Sequence, residues 1–451
     1  MSPTLTITLP NHGLQPERAY SVRMLLHEFL GLDYKISYHK RPEYILQTDG
    51  GGQLVIKDSF FAQYNRPEDY LKPEKVPGEI TYMNETAGQT EQLPVLYGEN
   101  TLHINKNKIQ CGVDLFASAF FMLSRWEEQT MPHRDEHGRF PGNKSLAYKH
   151  DFLNRPVVNE YAELLWQLLQ KAGFKGERKQ RTFTLVPTHD IDDLLFWNAT
   201  NKKRRYRNLA GDLFKRRNPK LAAKRRKSYA DTMADVKNDP YHVYDHLMDK
   251  AEKAGVQAQF YFMAGGSTVY DRPYDLNSGL FAEIVAHIKD RGHLIGYHGS
   301  YTTWNDPVLF LKEKKTLEQT VDMEITSCRQ HYLRFAIPAT WQMQEAAGIS
   351  TDSTLYYSGY PGFRCGSCYA FPVFDILNRK QLQLTEIPLL LMDGDLDELE
   401  PPQAEHMIID IQQQTKKFGG DFVFLRHNGS DAWMYNNHPL IHYEKALYHA
   451  E

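Results

Sequence analysis

The second half of the chain repeats one pattern, a short apolar strand followed by a turn and an amphipathic helix, and this repetition restricts the fold more than any other feature. Predicted strands are TFTLVPTH (182–189), VQAQFYFM (256–263), HLIGYH (293–298), HYLRFAI (331–337), ISTDSTLYY (349–357), LTEIPLLLM (384–392) and DFVFLRH (421–427). Between most of them stand helical segments such as HVYDHLMDKAEKAG, LFAEIVAHIKDRG and EHMIIDIQQQTKKFG, each closed by glycine. A strand followed by a helix crosses over before the next strand pairs, so the sheet is parallel. Seven such strands suit a closed or nearly closed barrel, with an open doubly wound sheet as the alternative. No glycine-rich fingerprint opens the first helix, so a dinucleotide site is not expected.

The first 180 or so residues read differently. YILQTDGG followed by GQLVIKDSFF predicts a hairpin, and DLFASAFFMLSRWEEQT puts Leu115, Phe116, Ala119, Phe120, Leu123 and Trp126 on one helical face. PVVNEYAELLWQLLQKAG (156–173) predicts a second helix, opened by proline and closed by glycine. This gives two domains, 1–180 as a smaller α/β domain and 181–451 as the repeating one. Arg125, Glu127 and Glu128 read as ion-paired surface or interface residues rather than catalytic ones.

Composition narrows the function classes. With 451 residues, 41% of them hydrophobic, the chain fills ordinary cores. No segment approaches the ~20 apolar residues of a membrane span, and the start has neither a basic cluster nor an apolar run, so the expected location is the cytoplasm. Four cysteines are too few for a disulfide framework. Cys365 and Cys368 form a C-x-x-C that reads as packing or turn residues, a redox or metal role being the alternative. Thirteen residues between Lys202 and Lys227 are basic and Asp212 alone is acidic. The stretch is either a solvated insertion, at about 200–230, or a surface helix pair contacting an anionic lipid or a phosphate. No nucleic-acid partner is expected.

The polar residues fall at strand ends. THDIDD, after the first strand, holds His189, Asp190, Asp192 and Asp193; His298 ends the third strand, Arg334 lies within the fourth and His427 ends the seventh. Carboxylates this close repel each other unless water, a cation or a reaction uses them. In a parallel barrel the strand ends converge on one face, and carboxylate, imidazole and guanidinium together there suit metal-assisted hydrolysis.

THDID, GHLIGYHGSYT, YLRFAIPATW and VFLRH occur in the order and approximate spacing of the motifs of the polysaccharide deacetylases, the NodB-homology domain of carbohydrate esterase family four, which residues 181–451 therefore resemble. The preceding half, with FASAFFMLSRWEE, DEHGRF and FLNRPVVNEYAELLW, resembles the uncharacterised N-terminal domain found in a bacterial subgroup of these proteins. The resemblance implies an irregular (β/α)7 barrel preceded by a smaller α/β domain, and a deacetylase acting on carbon–nitrogen bonds of a glycan or sugar precursor. Asp190 then matches the catalytic base, Asp192 and His298 the metal ligands, Arg334 the arginine that orients the base, and His427 the general acid. The implied cofactor is a divalent metal, zinc in most such enzymes.

One position departs from the motif. Four residues after His298 the family's second ligand histidine is replaced by Thr302, a poor zinc ligand. His331 or His189 could supply the missing bond, a harder metal could bind with more water, or the domain could be a non-catalytic carbohydrate-binding one. Tyr301, Trp341 and Trp433 lie near the motifs and could stack on sugar rings, or belong to the core.

Overall fold

TLVPTHDI becomes the strand Thr184–Ile191 in the computed structural model, and its last residues are fully buried, which a polar strand end does not by itself require. The structure describes residues 5–84, 92–197, 202–397, 399–429 and 441–448, with side chains in the helix from Lys202 described from Tyr206 onward. Trp433 lies outside the described residues. The chain divides into two compact units, one made of Met1–Thr184, Leu333–Leu390 and Gln413–Phe422, the other of Leu185–Tyr332, Leu391–Gln412 and Val423–Glu451.

The first unit holds a six-stranded mixed sheet in the order Tyr34–His39, Leu5–Pro10, Glu43–Gln47, Gln53–Lys57, Lys108–Val113, Gly98–Asn105. The predicted hairpin is its centre, with Tyr44 opposite Ile56 and Leu46 opposite Leu54, all buried. The helix predicted over DLFASAFFMLSRWEEQT divides. Asp114 caps Leu115–Ser124 by accepting from the Ala117 amide (3.0 Å), and Arg125 at φ 52° then turns the chain into Trp126–Thr130. That turn carries Arg125, Glu127 and Glu128 inward, correcting their placement on the surface. Glu128 accepts from Arg125 and from Arg364 at 3.0 Å each, and Glu127 from the Leu146 amide at 2.7 Å. Two guanidinium groups satisfy the Glu128 charge, which is what permits its burial, while Glu127 is bonded through the Leu146 amide. Cys365 and Cys368 lie buried in the same unit, and burial pushes both thiols far up, leaving them protonated packing residues.

The second unit carries the strands Ser327–Gln330, Leu294–Gly299, Gln259–Met263, Thr184–Ile191, Asp421–Leu425 and Leu391–Met392, adjacent in that order. Gln259–Met263 is parallel to both of its neighbours, as are Leu294–Gly299 with Ser327–Gln330 and Leu391–Met392 with Asp421–Leu425. Helices Tyr244–Lys253, Gly279–Asp290 and Pro307–Val321 fill the crossovers. The chain is thus mixed α/β with a parallel sheet, as the strand-and-helix alternation requires. Two strand positions move. The fourth strand is Ser327–Gln330, not 331–337, because SCRQ looks polar yet buries Cys328, Arg329 and Gln330. The predicted 384–392 strand splits into Lys380–Glu386 in the first unit and Leu391–Met392 in the second.

Candidate metal centre

Side chains alternate along a strand, so Thr188 and Asp190 share one face of Thr184–Ile191 and His189 takes the other. His189 packs between Phe260 and Tyr443, its Nδ1 2.9 Å from the Arg426 carbonyl. Burial lowers its pKa to about 3, and it is a structural residue of the apolar layer. Register then brings the polar face into line. Asp190 lies opposite Tyr261, and two residues on Met263 lies opposite His298, which lies opposite Arg329. Gly296 makes room in this layer, since a Cβ there would meet the Tyr261 ring at 2.6 Å.

Arg329, fully buried, donates from Nη1 to Asp190 Oδ1 (3.0 Å) and to Thr188 Oγ1 (2.9 Å), and its guanidinium stands 4.7 Å over the Tyr261 ring. The orienting contact that the motif match assigned to Arg334 is therefore made by Arg329. Arg334 belongs to the other unit, where its Nε donates to the His137 carbonyl at 2.7 Å. The misplaced fourth strand explains the difference: the arginine on its inner face precedes the YLRF segment.

Beyond Asp190 the chain leaves the sheet and presents Asp192, whose Oδ1 lies 3.4 Å from His298 Nε2 and 3.6 Å from His331 Nε2. One ligand atom from each of Asp192, His298 and His331 lies within 4.8 Å of the other two. Both histidines are oriented from behind. His298 Nδ1 is 3.0 Å from the Arg329 carbonyl, and His331 Nδ1 is 3.2 Å from Asp271 Oδ1. Each imidazole thus donates from Nδ1 and turns an Nε2 lone pair toward the same point, the outer-shell pattern of metal-ligating histidine. His298 Nε2 and Asp192 Oδ1 are buried with no hydrogen bond of their own. A divalent cation between them satisfies both atoms, so the residues fit the metal implied by the motifs. Burial opposes ionisation of Asp192, but His331, His298 and His427 hold its pKa well below the usual carboxylate range. For His298, burial is outweighed by Asp190 and Asp192, which raise the pKa. Thr302 precedes the short turn Thr303–Asn305 with no capping bond from its side chain, and the third member of the ligand group is His331.

His427 follows the strand Asp421–Leu425. Its Nδ1 is 2.7 Å from Asp393 Oδ1, its amide donates to Asp393 Oδ2 (3.0 Å), and Arg426 pairs with the same carboxylate at 2.8 Å. Burial would strip the ring of its proton; Asp393 overcomes that and raises the pKa to about 10. Asp192, His331 and His427 line a cavity of about 340 Å³ whose walls are Tyr241, Tyr270, Arg272 and Tyr332. Asp193 lies outside this set, paired with Arg272 at 2.7 Å. Tyr301 is buried against Tyr270, their rings 4.3 Å apart, and Trp341 is a core residue of the first unit bonded to Glu386. Arg329, Asp271 and Asp393 escape a reading of the sequence because their partners lie tens to more than a hundred positions away. The one local signal is RQHY, where an arginine and a histidine two apart share a face.

A family model described as a family of unknown function, DUF7033, matches residues 5–173. No curated protein sequence matches the chain. Among solved structures, it is similar to a putative polysaccharide deacetylase from Mycobacterium smegmatis at 15% identity, over 55% of this chain and 78% of that one, with a TM-score of 0.35. A polysaccharide deacetylase from Bacillus cereus matches at 8% identity over 59% and 86% with a TM-score of 0.28. A family 4 carbohydrate esterase from Streptomyces lividans matches at 8% over 59% and 88% with a TM-score of 0.27.

Proposed function

We propose that the second unit is a metal-dependent hydrolase that removes an acetyl group from an N-acetylated or O-acetylated sugar, in the metabolism of a surface polysaccharide or glycan precursor. The observation that carries this is the grouping of Asp192, His298 and His331 as a ligand set, with Asp190, held by Arg329, 3.8 Å from His298, and with His427, held by Asp393, lining the same cavity as Asp192 and His331. A site that only bound sugar would have no use for a held carboxylate and a held imidazolium beside three ligands.

In this reading Asp192, His298 and His331 hold the ion, zinc by the preference of that metal for imidazole and carboxylate. When bound, such an ion would supply Lewis acidity toward an acetyl carbonyl and a water. Asp190 accepts the proton of that water through Oδ2, on the side of His298, while Arg329, itself bonded to Thr188, holds Oδ1. His427, with Nδ1 held by Asp393, gives a proton from Nε2 to the departing nitrogen or oxygen as the bond to the acetyl carbon breaks. Acetate and the free amine or alcohol result. The exposed faces of Tyr270 and Tyr332 offer a sugar ring its apolar surface.

In this reading Thr184–Ile191, between Gln259–Met263 and Asp421–Leu425, is an interior strand of an irregular barrel. The non-catalytic reading rests on Thr302, and here His331 does that residue's work. The test is acetate release from acetylated mono- and oligosaccharides by the zinc-loaded full chain, with D190N as control. D190N should bind zinc normally and lose activity by about a thousandfold. A zinc-loaded protein that binds the sugars and releases no acetate from any of them would establish the binding reading instead.

A further inference from the structure

Between the first and second strands of the second unit the basic stretch folds as a helical hairpin. Lys202–Ala210 runs into the wide turn Gly211–Lys215, and Pro219–Ala234 returns. The hairpin is internally closed: Asp212, fully buried, pairs with Arg216 at 2.8 Å and Arg225 at 2.5 Å. It is also anchored, with Leu221 packed into a cluster with Trp197 and Tyr241, and the Trp197 indole donating to Ser228 Oγ at 2.8 Å. Tyr241 is at the same time a wall of the metal-centre cavity. The tip is built the opposite way. Phe214 is 81% exposed and Leu213 48%, and directly beside them Lys215, Arg216 and Arg217 are exposed, followed by Lys220, Lys224 and Lys227 on the returning helix. Among the described residues from Tyr206 to Lys227 no acidic side chain is exposed.

We propose that this hairpin is a membrane-surface anchor, with Phe214 and Leu213 inserting between the headgroups of an anionic bilayer and the surrounding lysines and arginines meeting lipid phosphates. An aromatic residue held out in water by a fixed, anchored hairpin gains by leaving water, and the ring of positive charge around it selects an anionic surface. A nucleic-acid groove would reward the cations and leave Phe214 and Leu213 without an apolar partner. No helix among the described residues is long and apolar enough to cross a membrane, so the contact is with the surface. The inference does not rest on the deacetylase reading. If both hold, the shared Tyr241 brings the cavity mouth near the surface, where a lipid-linked sugar is presented.

The experiment is co-sedimentation of the full chain with vesicles of pure phosphatidylcholine and with vesicles containing about one third phosphatidylglycerol. Binding should require the anionic lipid and fall with salt. F214S, at a side chain that holds no core together, should weaken it at least tenfold, and K215S/R217S should weaken it while raising residual salt sensitivity not at all. Far-ultraviolet circular dichroism of the variants verifies that the hairpin is retained. Absence of binding to anionic vesicles overturns the proposal. So does binding that F214S leaves unchanged, with short duplex DNA displacing parent and variant alike, which would make the surface a polyanion site.

Discussion

His331 hands its Nδ1 to Asp271, 3.2 Å away, and so aims Nε2 at Asp192. Asp271 is itself fixed: Oδ1 accepts from the Tyr301 amide at 2.8 Å and Oδ2 from the Thr268 amide and hydroxyl at 3.0 and 2.8 Å. Burial disfavours its charge, yet His331 and these donors hold its pKa below the ordinary carboxylate range. A fixed acceptor of this kind sets both the tautomer and the ring plane of a ligand histidine. D271N should therefore lower zinc affinity by about 10- to 100-fold, read by competition with a chromogenic chelator. An unchanged affinity would mean that His331 is not a ligand.

The ligand set itself predicts an asymmetry between two residues that the motif treats very differently. H331A should bring bound zinc below about a tenth of an equivalent, since two protein ligands hold zinc weakly. T302A should keep about one equivalent, because Asp192, His298 and His331 already supply three ligands and a threonine hydroxyl is a poor one for zinc. Metal analysis by mass spectrometry after dialysis distinguishes the outcomes, and equal retention by both variants would remove His331 from the site.

The two arginines make a third comparison. Arg329 carries the bond to Asp190, and R329K keeps the charge while losing the planar guanidinium whose Nη1 bonds both Asp190 and Thr188. Its kcat should fall by about 10- to 100-fold with KM little changed, as expected for loss of a group that positions a base. R334A should leave kcat within a few-fold. The reverse order of effects would restore the motif's assignment.

These comparisons locate what a sequence can carry. Asp190, Asp192, His298 and His427 are legible because each closes or follows a strand, and strand ends are marked locally by an apolar run giving way to polar residues. The sheet is legible for the same reason, through the helix that follows each strand. Arg329 is not, because a buried arginine makes its own strand look polar, and SCRQ lies outside every predicted strand until Asp190 is seen to pair with it. Asp271 and Asp393 are short carboxylates in turn-rich stretches, indistinguishable in sequence from helix caps. The break at Arg125 is hidden differently: no glycine marks its left-handed turn, and the partners that justify it, above all Arg364, lie far along the chain.

That buried cluster supplies the last prediction, in which two adjacent carboxylates respond to pH in opposite directions. Glu128 is opposed by burial, but Arg364 and Arg125 lower its pKa to about 2, from an ordinary 4.5. A depressed carboxylate stabilises the fold above its unfolded pKa, and the contribution is lost as pH falls from about 4.5 toward about 2. Glu127 is dominated by burial, which Arg125 only partly offsets, and its pKa rises to about 7. A raised carboxylate acts with the reverse sign: its protonated form fits the fold, so stability is complete below about 4.5 and declines as pH rises through about 7. E127Q keeps an acceptor for the Leu146 amide without the buried charge. At pH 7.5 it should be as stable as the parent chain or more so, by up to about 3 kcal/mol, and the decline in melting temperature between pH 5 and 7 should flatten. E128Q leaves Arg364 and Arg125 without their carboxylate and should cost about 3 to 5 kcal/mol at neutral pH. Thermal unfolding followed across this pH range decides both, and an E127Q variant with an unaltered slope would show that the decline originates elsewhere.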